Sequence, residues 1–259
     1  MIIYKTAAEI AAMRASSQIV ARILSELESM VRPGLTTTEL DRYAETRARD
    51  MGAVPAFKGY RGYPASLCTS VNEEIIHGIP STRVLRDGDI IGLDFGVAYD
   101  GFYGDAAITI PVGVIGPRAK TLIAVAETAF YQGIAQMKEG NRISDISQAI
   151  QSYVEGQGFS VIRSFVGHGI GHSPHEEPQV PNFGPPGRGP KIREGLTLAI
   201  EPMIAAGDWQ EEILEDGWTA VTKDRSLSAH FEHTVALTEH GVEILSLGAR
   251  ENPPLSLQR

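Results

Sequence analysis

Asp94 and Asp105 lie eleven residues apart, on either side of the turn signal Asp100-Gly101. In an antiparallel hairpin with an even-numbered loop centred there, both side chains leave the same face of the sheet. Like charges so placed raise each other's pKa unless a cation sits between them. Turn and edge carboxylates in water are the plainer alternative for this pair alone. Leu93 and Phe95 flank Asp94, however, and Asp89 to Phe95 reads as a mostly buried strand, where an unpaired carboxylate is expensive. The second half of the chain repeats the pattern. Glu201 ends the apolar run Leu196-Thr197-Leu198-Ala199-Ile200, and Glu232 stands at the start of the apolar run from Phe231 to Leu237. Four acidic residues at strand ends need roughly two divalent cations for neutrality, and hard oxygen donors suit Mn²⁺, Fe²⁺, Co²⁺ or Zn²⁺.

Histidine supplies the remaining donors. Of seven, five cluster: His168, His172 and His175 in the stretch from Gly167 to Pro178, and His230 and His233 around Glu232. His168 and His172 have helical i,i+4 spacing, but Gly169 and Gly171 argue against a metalloprotease helix. A glycine-flanked histidine on an irregular segment reads instead as a ligand or base that needs close backbone approach. A solvated loop histidine is the alternative for any one of them, and His240 beside Gly241 reads as that case. His77, in Glu73-Glu74-Ile75-Ile76-His77-Gly78, has no diagnostic spacing by itself. Competing chemistries find no support: there is no Gly-x-Ser-x-Gly elbow and no Walker or dinucleotide glycine loop. Cys68, without a discernible activating arrangement, reads as structural.

Composition narrows the classes further. The 259 residues carry 23 Lys+Arg and 32 Asp+Glu, a formal charge of −9, which disfavours the phosphate neutralisation that nucleic-acid binding needs. With 42% hydrophobic and 21% charged residues, the chain has the balance of a soluble globular protein with ample material for a core. A single cysteine excludes a disulfide framework and fits a reducing compartment. No basic stretch leads into an apolar one at the N-terminus, and no run approaches 18 apolar residues, so neither a signal peptide nor a transmembrane helix is expected. The expected location is the cytoplasm.

The elements that must carry these residues follow from pattern and punctuation. Thr6-Ala7-Ala8-Glu9 is a capping box opening a helix that Arg32-Pro33-Gly34 stops. A second box, Thr36 to Glu39, opens a helix running to about Met51-Gly52. Residues 53–70 read as an ordered loop, and strands follow over Asp89–Asp94 and Gly104–Ile110. Gly116-Pro117 opens another helix pair, divided near Glu139-Gly140-Asn141 and ending near Gly158. The rest reads as mostly β, interrupted by a surface loop over Asn182–Pro190, with a frayed tail from Asn252. Two echoes recur at offsets of 106 and 107 residues: Gly34 before Glu39 against Gly140 before Asp145, and Gly88 before Asp94 against Gly195 before Glu201. They predict an α+β architecture of duplicated helix–helix–strand halves, sheet inside and helices outside.

These motifs resemble the type I methionine aminopeptidase family from Thr6 to Leu245. The resemblance is carried by Cys68-Thr69-Ser70-Val71-Asn72-Glu73 with His77-Gly78-Ile79-Pro80, and by Asp100-Gly101-Phe102-Tyr103-Gly104-Asp105. It continues through Gly167-His168-Gly169-Ile170-Gly171, His175-Glu176-Glu177-Pro178, Ile200-Glu201-Pro202-Met203 and Trp218 to Ser226. It implies the pita-bread fold, one domain over 1–259 with pseudo-two-fold halves of about 6–112 and 113–247. It also implies hydrolytic removal of the initiator methionine before a small second residue. Carried over position by position, Asp94, Asp105, His168, Glu201 and Glu232 become ligands of two divalent cations (Co, Mn, Fe or Zn), with Asp105 and Glu232 bridging.

The resemblance further makes His77 and His175 substrate contacts near the scissile bond, and Tyr60, Tyr63, Cys68 and Trp218 the lining of a methionine pocket. Glu201 is then the candidate proton acceptor and donor, His175 the oxyanion donor and His77 a partner of the peptide backbone. Such a pocket suits a thin, polarizable thioether. Pro174 and Phe57 depart from residues common in the family, aromatic and cysteine respectively, and bear on pocket shape. Implied partners are nascent polypeptide N-termini, with transient ribosome contact; no nucleic acid, no membrane and a monomer are expected. Two other readings stand beside this one: an X-Pro aminopeptidase or prolidase-like peptidase, and an inactive pita-bread module that binds peptide.

Overall fold

The computed structural model describes residues 1–248; the expected frayed tail lies outside them. Both capping boxes are made: Glu9 Oε2 accepts the Thr6 N–H at 2.7 Å, and Glu39 Oε2 accepts the Thr36 N–H at 2.8 Å. They open α1 (Ala7–Met30) and α2 (Thr37–Asp50). α3 (Pro117–Ile134) starts on Pro117, whose fixed φ suits a first helical turn, and α4 (Ile143–Gly156) follows. The first half holds β1 (Val54–Pro55), β2 (Cys68–Val71), β3 (Glu74–Ile76), β4 (Ile90–Tyr99) and β5 (Phe102–Pro111). Next come β6 (Ser160–Val161), β7 (Gly167–Gly169), β8 (Glu176–Val180), β9 (Thr197–Ile200) and β10 (Met203–Ala205). The last strands are β11 (Glu211–Ile213), β12 (Ala220–Thr222), β13 (Ser228–His230), β14 (Glu232–Thr238) and β15 (Gly241–Ile244).

The main sheet runs β1-β4-β5-β14-β9-β7-β8, with β2 on β4 and β15 on β14. Its pairs are antiparallel. The helices bury one face of it. α1 and α2 share a core with Leu93, Phe95, Val97 and Ala106, while α3 and α4 share another with Leu198, Ile200, Val235 and Leu237. The echoed halves are visible in the hydrogen bonds. Gly34 N–H donates to the Leu85 carbonyl and Gly140 N–H to that of Ile192; Leu85 N–H donates to Leu35 and Ile192 N–H to Asn141. All four glycines of the two echoes have left-handed φ, from 84° to 95°, which explains their type.

Two expectations are corrected. β4 does not end at Asp94 but continues to Tyr99, because Phe95 and Val97 prolong the inward alternation. Asp94 and Asp105 therefore lie inside strands, not at their ends. The stretch 53–70, expected to be an ordered loop, contains β1, a short 3₁₀ turn over Tyr60–Gly62 and the first residues of β2. The hairpin itself turns as expected, in two residues, Asp100 and Gly101, both with positive φ (49° and 78°), the requirement of a type I′ turn.

α1 crosses this hairpin at Gly104, one residue before Asp105. A Cβ at Gly104 would stand 2.7 Å from both Cα and N of Ser17, so glycine alone lets the helix backbone approach the strand. Gly104→Ala is expected to lower stability by about 1–3 kcal/mol, the usual range for overpacking a closed core. Urea denaturation with an unchanged slope and a lower midpoint would bear this out.

Candidate metal centre

Strand register collects the acidic residues. Asp94 pairs with Ala107, and Ala107 with Glu232, so the three side chains leave one face in a lateral row. Glu201 and Glu232 are the residues next beyond the His233–Ile200 pair, which extends the row to β9. Asp105 stands two residues from Ala107 and His168 opposite Ala199, two residues from Glu201; period-two alternation puts both on the same face. The methyl of Ala107 leaves the middle of the row open. Leu93, Phe95, Ala106, Ile200 and His233 occupy the opposite face, which is the helix-covered core.

Two threonines hold the strands together at this level. Thr234 Oγ1 accepts the Asp105 N–H at 3.0 Å and donates to the Asp105 carbonyl at 2.8 Å. Thr109 Oγ1 does the same for His230, accepting its N–H at 2.9 Å and donating to its carbonyl at 2.8 Å. Glu201 is steadied by Asn182, whose Nδ2 donates to its carbonyl at 2.9 Å. His168 Nδ1 lies 2.9 Å from the Gly169 carbonyl. A carbonyl only accepts, so Nδ1 carries the proton and Nε2 turns a lone pair toward Glu201 Oε1, 3.5 Å away.

Asp94, Asp105, Glu201 and Glu232 are each 8% exposed or less. Burial pushes the Asp94 carboxyl up to about 7. Burial, then the neighbouring carboxylates, pushes Asp105, Glu201 and Glu232 well above the usual range. Burial also holds His168 and His230 down to about 3, so both are neutral at pH 7. Asp94 Oδ1, Asp105 Oδ1, Glu232 Oε1 and His230 Nε2 are buried without a hydrogen-bond partner among the described residues. Donor atoms of Asp94, His230 and Glu232 lie within 4.8 Å of one another, as do those of Asp105, His168 and Glu232. Orphaned oxygens and neutral imidazoles converging on shared space fit divalent cations.

Each site residue named from the sequence lies on the wall of one cavity of about 270 Å³. Tyr63 packs edge-on to Trp218 at 5.2 Å, and its hydroxyl donates to the Gly78 carbonyl at 3.0 Å. His77, in left-handed conformation with φ 60°, stands edge-on to Phe165 and Trp218. Burial, and His175 beyond it, lowers its pKa to about 4. His175, exposed at the rim, stacks on Tyr60 at 5.2 Å and 13° and lies 4.3 Å from the His168 ring. Burial of its inner edge and the Arg61 charge lower its pKa. Cys68 pairs with Asp94 across β2 and β4. Burial pushes its thiol up, so it is packing rather than a nucleophile. Phe57 lines the cavity.

The other histidines divide. His172 is no ligand or base of this site: it is exposed, between Glu9 and the Gly101 carbonyl at 3.3 Å each. His233 points into the core, 2.9 Å from Ser246 Oγ and against Phe130 and Phe231. His240 is exposed in a turn. His230, grouped with Glu232 in the sequence but given no part there, faces Glu232 and Glu201 at 3.6 and 3.8 Å. Its spacing of two residues from Glu232 in an extended segment was the available signal.

Residues 11–239 match metallopeptidase family M24. The chain belongs to this family. Within it, a methionine aminopeptidase of Clostridium perfringens is 53% identical over 247 residues, 95% of this chain and 99% of that protein. The solved methionine aminopeptidase of Thermotoga maritima is 46% identical, with a TM-score of 0.94 over 95% of this chain and 100% of its own. The prolidase of Pyrococcus furiosus, 20% identical at a TM-score of 0.79 over 96% of this chain and 66% of its own, shares the fold alone. The pita-bread fold and divalent-metal chemistry of M24 peptidases thus apply to this chain.

The raised carboxylates set a sign for stability without metal. Their native state holds protons that the unfolded state has lost, so their contribution is present at low pH and lost as pH rises through the native pKa values. The buried histidines act in the opposite sense while their unfolded forms hold protons, an effect half spent at about pH 6.5 and nearly gone by about pH 7.5. As it fades, the carboxylates set the sign. Metal-stripped protein is expected to lose about 1.4 kcal/mol per pH unit for each excess native proton between pH 6.5 and 8. Chemical denaturation with and without Mn²⁺ checks this: the loss should vanish with metal, and a flat metal-free profile would contradict it.

Proposed function

We infer that this chain is a methionyl aminopeptidase, removing the N-terminal methionine of peptides and nascent proteins when the second residue is small. The observation that carries the reading is the row of orphaned carboxylate oxygens closing one end of an apolar, aromatic cavity. Asp94, Asp105, His168, Glu201 and Glu232 would hold two divalent cations of the Mn, Fe, Co or Zn type. Glu232 has donor atoms in both clusters, which supports its bridging role, and Asp105 beside it would be the second bridge. The chemistry such ions supply when bound is Lewis acidity, polarising a carbonyl and bringing the pKa of water toward about 7.

The chain's own groups do the rest. Glu201, whose carboxylate faces the His168 ring, would be ionised once cations offset the burial that raises it; it then accepts a proton from water and returns it to the leaving amine, help worth about 10²–10⁴ in rate. Neutral His175 at the rim offers an N–H to the developing oxyanion, and neutral His77 offers one to the peptide backbone. Tyr60, Tyr63, Cys68, Phe57 and Trp218 exclude water and fit a flexible thioether. Pro174 is only half-buried and does not line the cavity, so Phe57 is the departure that shapes it. No described helix is long and apolar enough to cross a membrane. We propose a cytoplasmic monomer, one domain of two halves, that meets nascent chains in transient contact with the ribosome.

Hydrolysis of Met-Ala-Ser, Leu-Ala-Ser and Ala-Pro-Ser by stripped and metal-resupplied protein tests the reading. Release of methionine alone is expected. Asp105→Ala should reduce it by more than the about 10–100-fold typical of an outer partner. Cleavage of Ala-Pro-Ser would move the chain to the X-Pro peptidases, and no cleavage with any ion to peptide-binding modules. His175→Ala is expected to lower kcat by about 10²–10³ with little change in KM, read from steady-state kinetics.

A further inference from the structure

The side chain of Lys5 is fully buried, at 0% exposure, just ahead of α1. Its Nζ lies 2.7 Å from Glu176 Oε2 and 3.2 Å from the Ile3 carbonyl. Its backbone N–H donates to the Gly195 carbonyl at 2.7 Å. Two glycines make room for it. A Cβ on Gly171 would overlap Lys5 Cε, and one on Gly195 would come within 2.6 Å of the Lys5 carbonyl oxygen. A buried ion pair is a poor device for stability alone, since apolar residues of similar volume do as well or better. Its partner suggests another use. Glu176 follows His175 directly, and its other oxygen accepts the Ser173 N–H at 3.2 Å, closing the turn that carries His175. Glu9 of α1 meets the first residue of that turn, His172.

We propose that Lys5, acting through Glu176, is a positioning residue that fixes the rim histidine His175 over the cavity. The N-terminal segment is then a strap across the turn 172–176, holding the His175 ring between Tyr60 and His168. The proposal rests on the reading of His175 as a substrate contact, and the test separates the two.

The double variant Lys5→Met/Glu176→Gln removes both charges and keeps an acceptor oxygen for the Ser173 N–H. Measured on Met-Ala-Ser with Mn²⁺, its kcat should fall about 10- to 100-fold, as for a reacting group displaced by an ångström. KM should stay within about threefold and Mn²⁺ affinity by calorimetry within about twofold, because no ligand is touched. In a His175→Ala background the same double variant should change kcat no further, the non-additivity of groups acting as a unit. Unchanged kcat in the double variant, or an equal fall in both backgrounds, overturns the proposal. Unchanged kcat in His175→Ala alone overturns the reading of His175 and this inference with it. Should the double variant not fold, Glu176→Asp, which keeps both charges but withdraws the carboxylate by one methylene, is subject to the same comparisons and outcomes.

Discussion

Mutual repulsion among Asp94, Asp105, Glu201 and Glu232 is the interaction on which the structure turns. Four buried carboxylates on one face of a sheet, three of them with an oxygen that no described group satisfies, oppose folding unless protons or cations neutralise them. Burial raises every one of the four. What destabilises the metal-free protein near neutral pH is therefore what makes it bind divalent cations, and folding strength has been exchanged for a site.

The remainder of the fold can be read as the support this arrangement requires. Each strand that leads to one of these carboxylates has an apolar opposite face: Leu93 and Phe95 beside Asp94, Ala106 beside Asp105, Ile200 beside Glu201, His233 packed among phenylalanines beside Glu232. Helices cover that face in two pairs, one for each half. Thr109 and Thr234 lock β5 to the segments carrying His230 and Glu232. Backbone hydrogen bonds and core packing, rather than attraction among the carboxylates, hold the row in place. Pre-organisation of this kind leaves little to be rearranged when ions and substrate arrive.

Much of this was legible from residues alone, for physical reasons. Period-two alternation around a two-residue Asp-Gly turn placed Asp94 and Asp105 on one face, and β4 and β5 have that register. Capping boxes at Thr6 and Thr36 marked helix starts because their partners are local. The paired glycines at 34 and 140, and at 88 and 195, disclosed the duplication because each needs a left-handed φ. Less legible were the irregular segments. Around Gly169 and Gly171 no period assigns a face, so His172 could not be told from His168 until β7 and β8 were seen to pair with a register shift at His168/Gly169. Lys5 carried no signal, since a lone N-terminal lysine reads as solvated until its partner, 171 residues away, is known. The metal roles of the five ligands came from family resemblance; the geometry is compatible with them and adds His230 as a neighbour.

A count of bound ions tests the central claim, that Glu232 is shared by two cation positions, most directly. Native mass spectrometry of the full chain titrated with Mn²⁺ or Co²⁺ should give two ions for the unaltered protein. Glu232→Ala should hold fewer than one at the same free-metal concentration, while Asp94→Ala should keep about one. A Glu232→Ala protein that still carries two ions would contradict the account, because the two positions would then not share a ligand on which both depend.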